Sequence, residues 1–459
     1  MPQTNNSSAS KFPVIDLFAG PGGLSEGFAQ AGFAVAAQVE KDPIACSTLR
    51  LRVIFRELKQ RNRVREYWKL IRGEVSEEQL FKKIPEIKDR CAAQVVNREF
   101  GSKDPLADGP TAIYSLMDDG VRHLKATRAN VLLGGPPCQA FSLVGRSRDP
   151  NRMREDERHF LFQYYLLALD RFEPDFFVFE NVPGILSAET EKGQTVQMLM
   201  DEFNRLKRPY ELALPAHGNL SALILDSAYY QVPQRRRRIF FIGYRKDLRE
   251  RRPEIVDVFR RIVAASSRDV LTVADAIGDL PRLFPSEGHD GWWGPYPSRS
   301  DLKKYQRRMR IGSEGIVHCK ARSHMQSDLE RYKFFIEHHK NGTRQTTLFD
   351  LENERPDLMP AHKNTDKFVD RFRVQWWERP CSTVMSHIAK DGHYYIHPDI
   401  SQCRSFTVRE AARCQSFSDD FVFRGPRTEQ FRQVGNAVPP RLAYAIGKVL
   451  IRELNAIYS

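Results

Sequence analysis

From position 12 to 243 the chain alternates short apolar runs with longer helix-like segments. VIDLFAG (14–20), AAQVE (36–40), NVLLGG (130–135), FFVFEN (176–181) and IFFIGY (239–244) each predict a buried strand. Continuous apolar runs ending in Gly, Glu or Asn are what a mainly parallel sheet covered on both faces produces. Their alternation with helical segments predicts an α/β fold, a doubly wound, Rossmann-like domain over 13–245 behind a short flexible tail at 1–12.

Two stretches break the rhythm. Residues 50–72 carry nine Lys or Arg against Glu57 and Glu66, with Leu51, Ile54, Phe55, Leu58, Val64, Tyr67, Trp68 and Ile71 at near-helical spacing. This predicts a basic amphipathic helix within an insertion at about 50–110, its apolar face packed and its charges solvated rather than set against phosphate. From 246 to 370 the alternation gives way to polar, basic and aromatic sequence such as GWWGPY and KKYQRRMR, which predicts a second, smaller domain. Regularity returns over 371–459, where a helix at TVREAARCQSF and a terminal helix from PRLAYAIGKVLIRELN are expected.

Composition narrows the partners. Lys plus Arg exceeds Asp plus Glu by 71 − 58 = 13, so a polyanion, nucleic acid above all, is the expected partner. No apolar run approaches the roughly 20 residues of a membrane span, and MPQTNNSSAS lacks the charged-then-apolar order of a signal peptide. A cytoplasmic, monomeric protein without membrane contact is the expectation. The seven cysteines form no C-x-x-C pair, so neither a metal site nor a disulfide framework is expected.

Four segments carry candidate chemistry. DLFAGPGGLSEGF (16–28) is a strand, a glycine-rich turn and a helix start; glycines there let backbone approach a ligand at the carboxyl edge of a sheet. It is neither G-x-G-x-x-G nor a phosphate-cradling P-loop. The next strand ends at Glu40, which is equally a ribose-diol acceptor or a surface acid at a strand end. GGPPCQAFS (134–142) follows another strand. Two prolines stiffen the turn before Cys138, and a helix start there would favour its thiolate. In FFVFENVPG (176–184) Glu180 follows four apolar residues, which is costly unless it is protonated or paired; such burial raises a carboxyl pKa. In VPQRRRRIFFIG (232–243) strand alternation places Arg236 and Arg238 on one side and Arg235 and Arg237 on the other.

These segments, with ERPCSTV (378–384), TVREAARCQSF (407–417) and QVGNAVPP (433–440), resemble the ordered motifs of the cytosine-5 DNA methyltransferases, bacterial and of the restriction-modification type. The resemblance covers about 13–245 and 371–459 and skips the variable middle. It implies an S-adenosyl-L-methionine-dependent methyltransferase domain plus a variable target-recognition domain at 246–370, with 371–459 returning to the catalytic domain beside the glycine turn. Phe18, Gly20, Gly22, Gly23 and Leu24 would hold S-adenosyl-L-methionine, Glu40 its ribose hydroxyls, Asp118 or Asp119 its adenine amine, and Asn436 would approach its methionine end. Cys138 would attack C6 of an extruded cytosine, Glu180 would bind N3 and the amine, Arg238 would hold O2, and Arg236 a nearby phosphate.

The implied activity is DNA (cytosine-5-)-methylation of double-stranded DNA, serving a restriction system whose cognate endonuclease acts separately. Two departures from the family pattern stand out: Gln231 where Gly is usual before Val-Pro-Gln, and Ser418 where Pro is usual after Gln-Ser-Phe. The alternatives are a tRNA cytosine-5 methyltransferase, which typically carries a Cys-Phe-Thr tripeptide that this chain lacks, and a non-catalytic DNA-binding relative, in which Cys138, Glu180 or the paired arginines would be lost. For Trp292, Trp293, Arg307, Arg308 and Arg310, core and solvated surface is the better reading.

Overall fold

The computed structural model describes residues 12–100, 109–136, 159–187, 189–190, 193–215, 219–341, 344–360 and 369–459. Among them, all five expected strands lie in one sheet. They are β1 (Pro13–Leu17), β2 (Ala34–Glu40), β4 (Val131–Gly134), β5 (Phe176–Asn181) and β8 (Arg237–Arg245). Three short strands join them, β3 (Val95–Asn97), β6 (Tyr210–Leu212) and β7 (Ile224–Asp226). The order is β3-β2-β1-β4-β5-β8-β6, with β7 also against β8. The first five run parallel, and β8 is antiparallel to β5, β6 and β7.

The strand order reverses between β1 and β4. In an open α/β sheet the carboxyl ends flanking such a switch point diverge and leave a crevice. The chain places the glycine-rich turn after β1 and the Gly135–Pro136 turn after β4 at that crevice. Helices cover the sheet: α1 (Gly23–Ala31) follows β1, α6 (Gly109–His123) precedes β4, and α7 (His159–Phe172) precedes β5. One apolar core runs from Phe12 to Ile262 and takes in Leu442, Ile446 and Leu450 of the terminal helix α11 (Pro440–Tyr458). The first core thus continues past the domain boundary expected at 246. The terminal helix can lie this close to α1 because Gly27 faces it: a Cβ there would sit 2.4 Å from both Ala443 Cβ and the Pro440 carbonyl.

The basic stretch 50–72 is two helices rather than one. In chain order, α2 (Pro43–Gln60) and α3 (Val64–Ile71) are separated at Asn62, whose φ is +56°, and α4 (Glu77–Lys83) and α5 (Pro85–Gln94) lead into β3. Their apolar side packs as expected, with Tyr67 and Trp68 fully buried. Two charges turn inward: Arg52 is buried against Glu26 of α1 (2.6 Å) and Asp420 (3.4 Å), and Arg56 reaches the same Glu26 at 3.4 Å.

A second core joins Val273, Ile277, Tyr305 and Met309 to residues from Cys381 to Ala437, including α9 (Val408–Cys414) and α10 (Arg427–Asn436). Arg404, Arg409 and Arg413 are fully buried there. Arg404 pairs with Glu410 at 2.7 Å; Arg413 pairs with Asp419 at 2.6 Å and also with Asp279, which Arg310 reaches at 2.6 Å. Buried guanidinium groups need such partners, and the Arg413–Asp279 pair fastens the 246–370 region to the C-terminal segment. Trp292 lies against Trp68, with ring centroids 5.7 Å apart, while Trp293 is 41% exposed. No helix among the described residues is long and apolar enough to cross a membrane.

Candidate active site

The crevice is built from strand ends. After β1, Phe18 (φ +56°), Gly20 (φ +54°) and Gly22 (φ +89°) turn the chain through left-handed conformations. The turn is held from below by Asp16, which is buried and accepts a hydrogen bond from the Ser25 backbone at 3.3 Å. Burial pushes the Asp16 carboxyl up to about 7, against the lowering effect of Ser25. The glycines do different work. A Cβ on Gly22 would fall 2.6 Å from Leu49, and one on Gly23 only 2.2 Å from the Val438 carbonyl, so these two are needed for packing. A Cβ on Gly20 would meet nothing within 4 Å; that side of the turn opens on free space. Leu24 is 5% exposed and packs in the first core.

Glu40, the last residue of β2, turns its carboxylate toward this opening. One oxygen accepts the Gly20 N–H at 2.8 Å and the other the Asp42 N–H at 2.9 Å. A carboxylate has about four lone-pair sites, so a pinned Glu40 retains acceptor capacity for a vicinal diol. A strand-end carboxylate, an open glycine and a half-buried Phe18 fit the ribose and methionine parts of S-adenosyl-L-methionine.

The proposed adenine contacts are elsewhere. Helix α6 precedes β4 and runs back along the sheet, so Asp118 and Asp119 in its second half point toward the amino edge. Asp118 pairs with Arg171 near the end of α7 at 2.7 Å, and Asp119 pairs with Arg122 one turn on. Neither is brought to the Glu40 turn, which corrects the expectation for both. The sequence pattern there was degenerate because β3 is only three residues long.

On the other side of the switch point, Gly135 lies against Glu180, where a Cβ would come within 2.9 Å of its carboxylate. Cys138, three residues on, is outside the described residues. Of the other cysteines, Cys46, Cys91 and Cys319 are buried, and burial pushes their thiols up to about 12, the opposite of what a nucleophile needs. Glu180 is paired rather than isolated: Arg238 Nε is 3.2 Å from its Oε1, and both side chains retain some exposure. Asn181 donates to the Pro136 carbonyl at 3.3 Å and accepts from Val182 N–H at 2.8 Å. Sequence reasoning gave it no role, although an amide at a strand end that holds the Pro136 carbonyl ties the ends of β4 and β5 together.

The four arginines alternate as expected: Arg235 and Arg237 are exposed, Arg236 is buried and Arg238 half-buried. The role expected for Arg236 is not what the structure shows. Its guanidinium is 3% exposed and donates to the carbonyls of Val384 (2.8 Å) and Gly435 (3.2 Å), not outward to a phosphate. Burial, then the charge on Arg238, lower its pKa from the usual guanidinium value, with Glu180 opposing. Gln234, also buried, accepts the Val384 N–H at 2.5 Å and donates to Gln415 at 2.8 Å; neither glutamine was singled out from the sequence. Asn436 ends α10 and is exposed, one residue from the carbonyl that Arg236 holds.

The family model described as C-5 cytosine-specific DNA methylase matches residues 12–69 and 105–452. The type II methyltransferase M.Bpa9945I of Bacillus paralicheniformis is 41% identical over 454 residues, 96% of this chain and 99% of the relative. M.DdeI of Desulfomicrobium norvegicum is 29% identical over 95% of this chain and 87% of its own. A crystal structure from an Escherichia coli prophage, assigned as a DNA modification methyltransferase, superposes with a TM-score of 0.61 at 24% identity, covering 97% of this chain and all of that one, and so shares the fold. Motif order, switch-point geometry and a match over most of its length agree: the chain belongs to the C-5 cytosine-specific DNA methylase family.

Proposed function

We propose that this protein transfers a methyl group from S-adenosyl-L-methionine to C5 of a cytosine extruded from double-stranded DNA, with Cys138 as nucleophile. The observation that carries the reading is the Glu180–Arg238 pair at the crevice, set against Gly135, three positions before Cys138 in the sequence. Cytosine C5 is a weak nucleophile. A Cys138 Sγ–C6 bond places the ring's electron pair on C5, and Glu180, bonded to N3 and the amine, gives N3 a proton as charge develops. Arg238 holds O2 and neutralises the charge that reaches it. Bound at the Phe18–Gly20–Glu40 turn, S-adenosyl-L-methionine supplies an electrophilic sulfonium methyl. Loss of the C5 proton to solvent, expulsion of the Cys138 thiolate and return of the N3 proton to Glu180 restore the aromatic ring.

A base stacked in a duplex cannot reach Glu180 and Cys138 together, so the substrate cytosine leaves the stack. The region 246–370 is the candidate target reader. Exposed Trp293 and Phe284 and its excess of basic side chains support contact with bases and phosphates. The likeness to type II methyltransferases supports a modification role beside a separately acting endonuclease.

The test is methyl transfer from labelled S-adenosyl-L-methionine to mixed genomic DNA and, in parallel, to tRNA, with Cys138→Ser as control. Base-resolved sequencing that finds C5-methylcytosine at one short DNA motif, absent with Cys138→Ser, establishes the reading. Transfer to tRNA alone overturns it.

A further inference from the structure

Helix α10 ends without a glycine cap, and the carbonyls of its last turn need partners that the helix cannot supply. Two distant side chains provide them. Gln415 Nε2 donates to the carbonyls of Val434 (2.7 Å) and Ala437 (3.3 Å). Arg236 Nη1 donates to that of Gly435 (3.2 Å), and a cation at a helix C-terminus is additionally favoured. The two are linked, since Gln234 joins Gln415 to the Val384 N–H while Arg236 holds the Val384 carbonyl. Between the held carbonyls stands exposed Asn436, and two residues on the Val438 carbonyl packs where Gly23 leaves no room for a side chain. Arg236 lies just ahead of β8, two residues before Arg238, and Arg238 meets Glu180.

We propose that Arg236, with Gln234 and Gln415, is a positioning clamp that fixes the Asn436 turn on the cofactor side to the strand that carries Arg238 on the base side, so that Arg236 governs cofactor affinity without touching cofactor or DNA. This rests on the cofactor site proposed above. The clamp explains why the charged residue just ahead of the base-binding strand points inward, and it makes the two halves of the site one body: moving Asn436 displaces Arg238.

The experiment is calorimetric titration of the DNA-free full chain with S-adenosylhomocysteine, for wild type, Arg236→Met, Arg236→Lys and Gln415→Met, with the salt dependence of duplex binding measured alongside. A clamp predicts that Arg236→Met weakens the ligand about tenfold or more through loss of two charged hydrogen bonds. Arg236→Lys should recover part of the loss, and the slope of log affinity for DNA against log salt should stay unchanged. Gln415→Met, which frees the Val434 and Ala437 carbonyls and the Gln234 amide but leaves both Arg236 bonds in place, should weaken the ligand too and keeps the test open if Arg236→Met does not fold. Ligand affinity unchanged in the folded variants overturns the proposal. If the salt slope also falls by about 0.9, Arg236 is a phosphate ligand after all. Wild type that fails to bind S-adenosylhomocysteine would instead remove the cofactor reading itself.

Discussion

Arg238 Nε lies 3.2 Å from Glu180 Oε1, just beyond the point where β8 pairs residue 239 with Asn181 of β5. The antiparallel register therefore brings a cation from one strand to a carboxylate from its neighbour at the open edge, each fixed by the backbone beneath it. Groups held in this way stabilise developing charge without reorganising.

Glu180→Gln and Arg238→Met should each lower kcat by about 10²–10³ while leaving S-adenosylhomocysteine affinity near wild type. Because the two act as a unit, the double variant should lose far less than the product of the single losses. Single-turnover methylation of duplex DNA gives both numbers. Multiplicative losses would show that the two residues act independently.

Asp16 gives a pH signature. Its folded carboxyl is raised to about 7 by burial, above its unfolded value, so the folded state binds the extra proton. Its contribution to stability therefore falls as pH rises from about 4 to 7 and is constant above that. Glu26 and Glu410, held down to about 2 by Arg52 and Arg404 against the cost of burial, work the other way and lose their contribution only as pH falls below the usual carboxyl range. Asp16→Asn should therefore melt higher than wild type at pH 8 and lose that advantage toward pH 4. Paired thermal melts across that range, read as a difference, isolate the effect; a constant difference would mean that Asp16 does not titrate there.

The strands were legible because β1, β2, β4, β5 and β8 are apolar runs that end in a polar or glycine residue, and so was the crevice they frame. The three-residue strands β3, β6 and β7 offer no periodicity to read. The inward course of Arg236 was also hidden. Alternation fixes which arginines share a face but not what that face meets, and the acceptors of Arg236 lie 148 and 199 residues further along the chain.

Gln231 occupies the position where the family usually has Gly, and it keeps the glycine-like conformation at φ +61°. The turn has not changed shape to suit the side chain. A left-handed non-glycine residue costs about 1–2 kcal/mol, and glycine's extra unfolded-state freedom returns about 0.4–1 kcal/mol of that. Gln231→Gly should then stabilise the fold by about 0.5–1 kcal/mol, less whatever the 3.3 Å bond from Gln231 to the exposed Asp269 carbonyl contributes. A chemical-denaturation midpoint at or below wild type would refute this.

The last prediction concerns Arg52, the one cation of the 50–72 stretch held in a buried pair with Glu26 and Asp420 at once. It joins the inserted helices to α1, directly behind the cofactor turn, and to the C-terminal segment. Replacing it alone leaves buried Asp420 without its cation and Glu26 with only Arg56, 3.4 Å away, a loss of about 3–5 kcal/mol. Substituting Glu26 in the same chain removes one of those under-compensated charges. Arg52→Met should therefore destabilise strongly, and Arg52→Met with Glu26→Gln should recover a substantial part, although Asp420 remains. Thermal melts of the two variants decide it. If the double variant is no more stable than Arg52→Met, the pair matters through packing of the guanidinium stem rather than through charge, and the basic face of α2 owes its position to Phe55 and Leu58 instead.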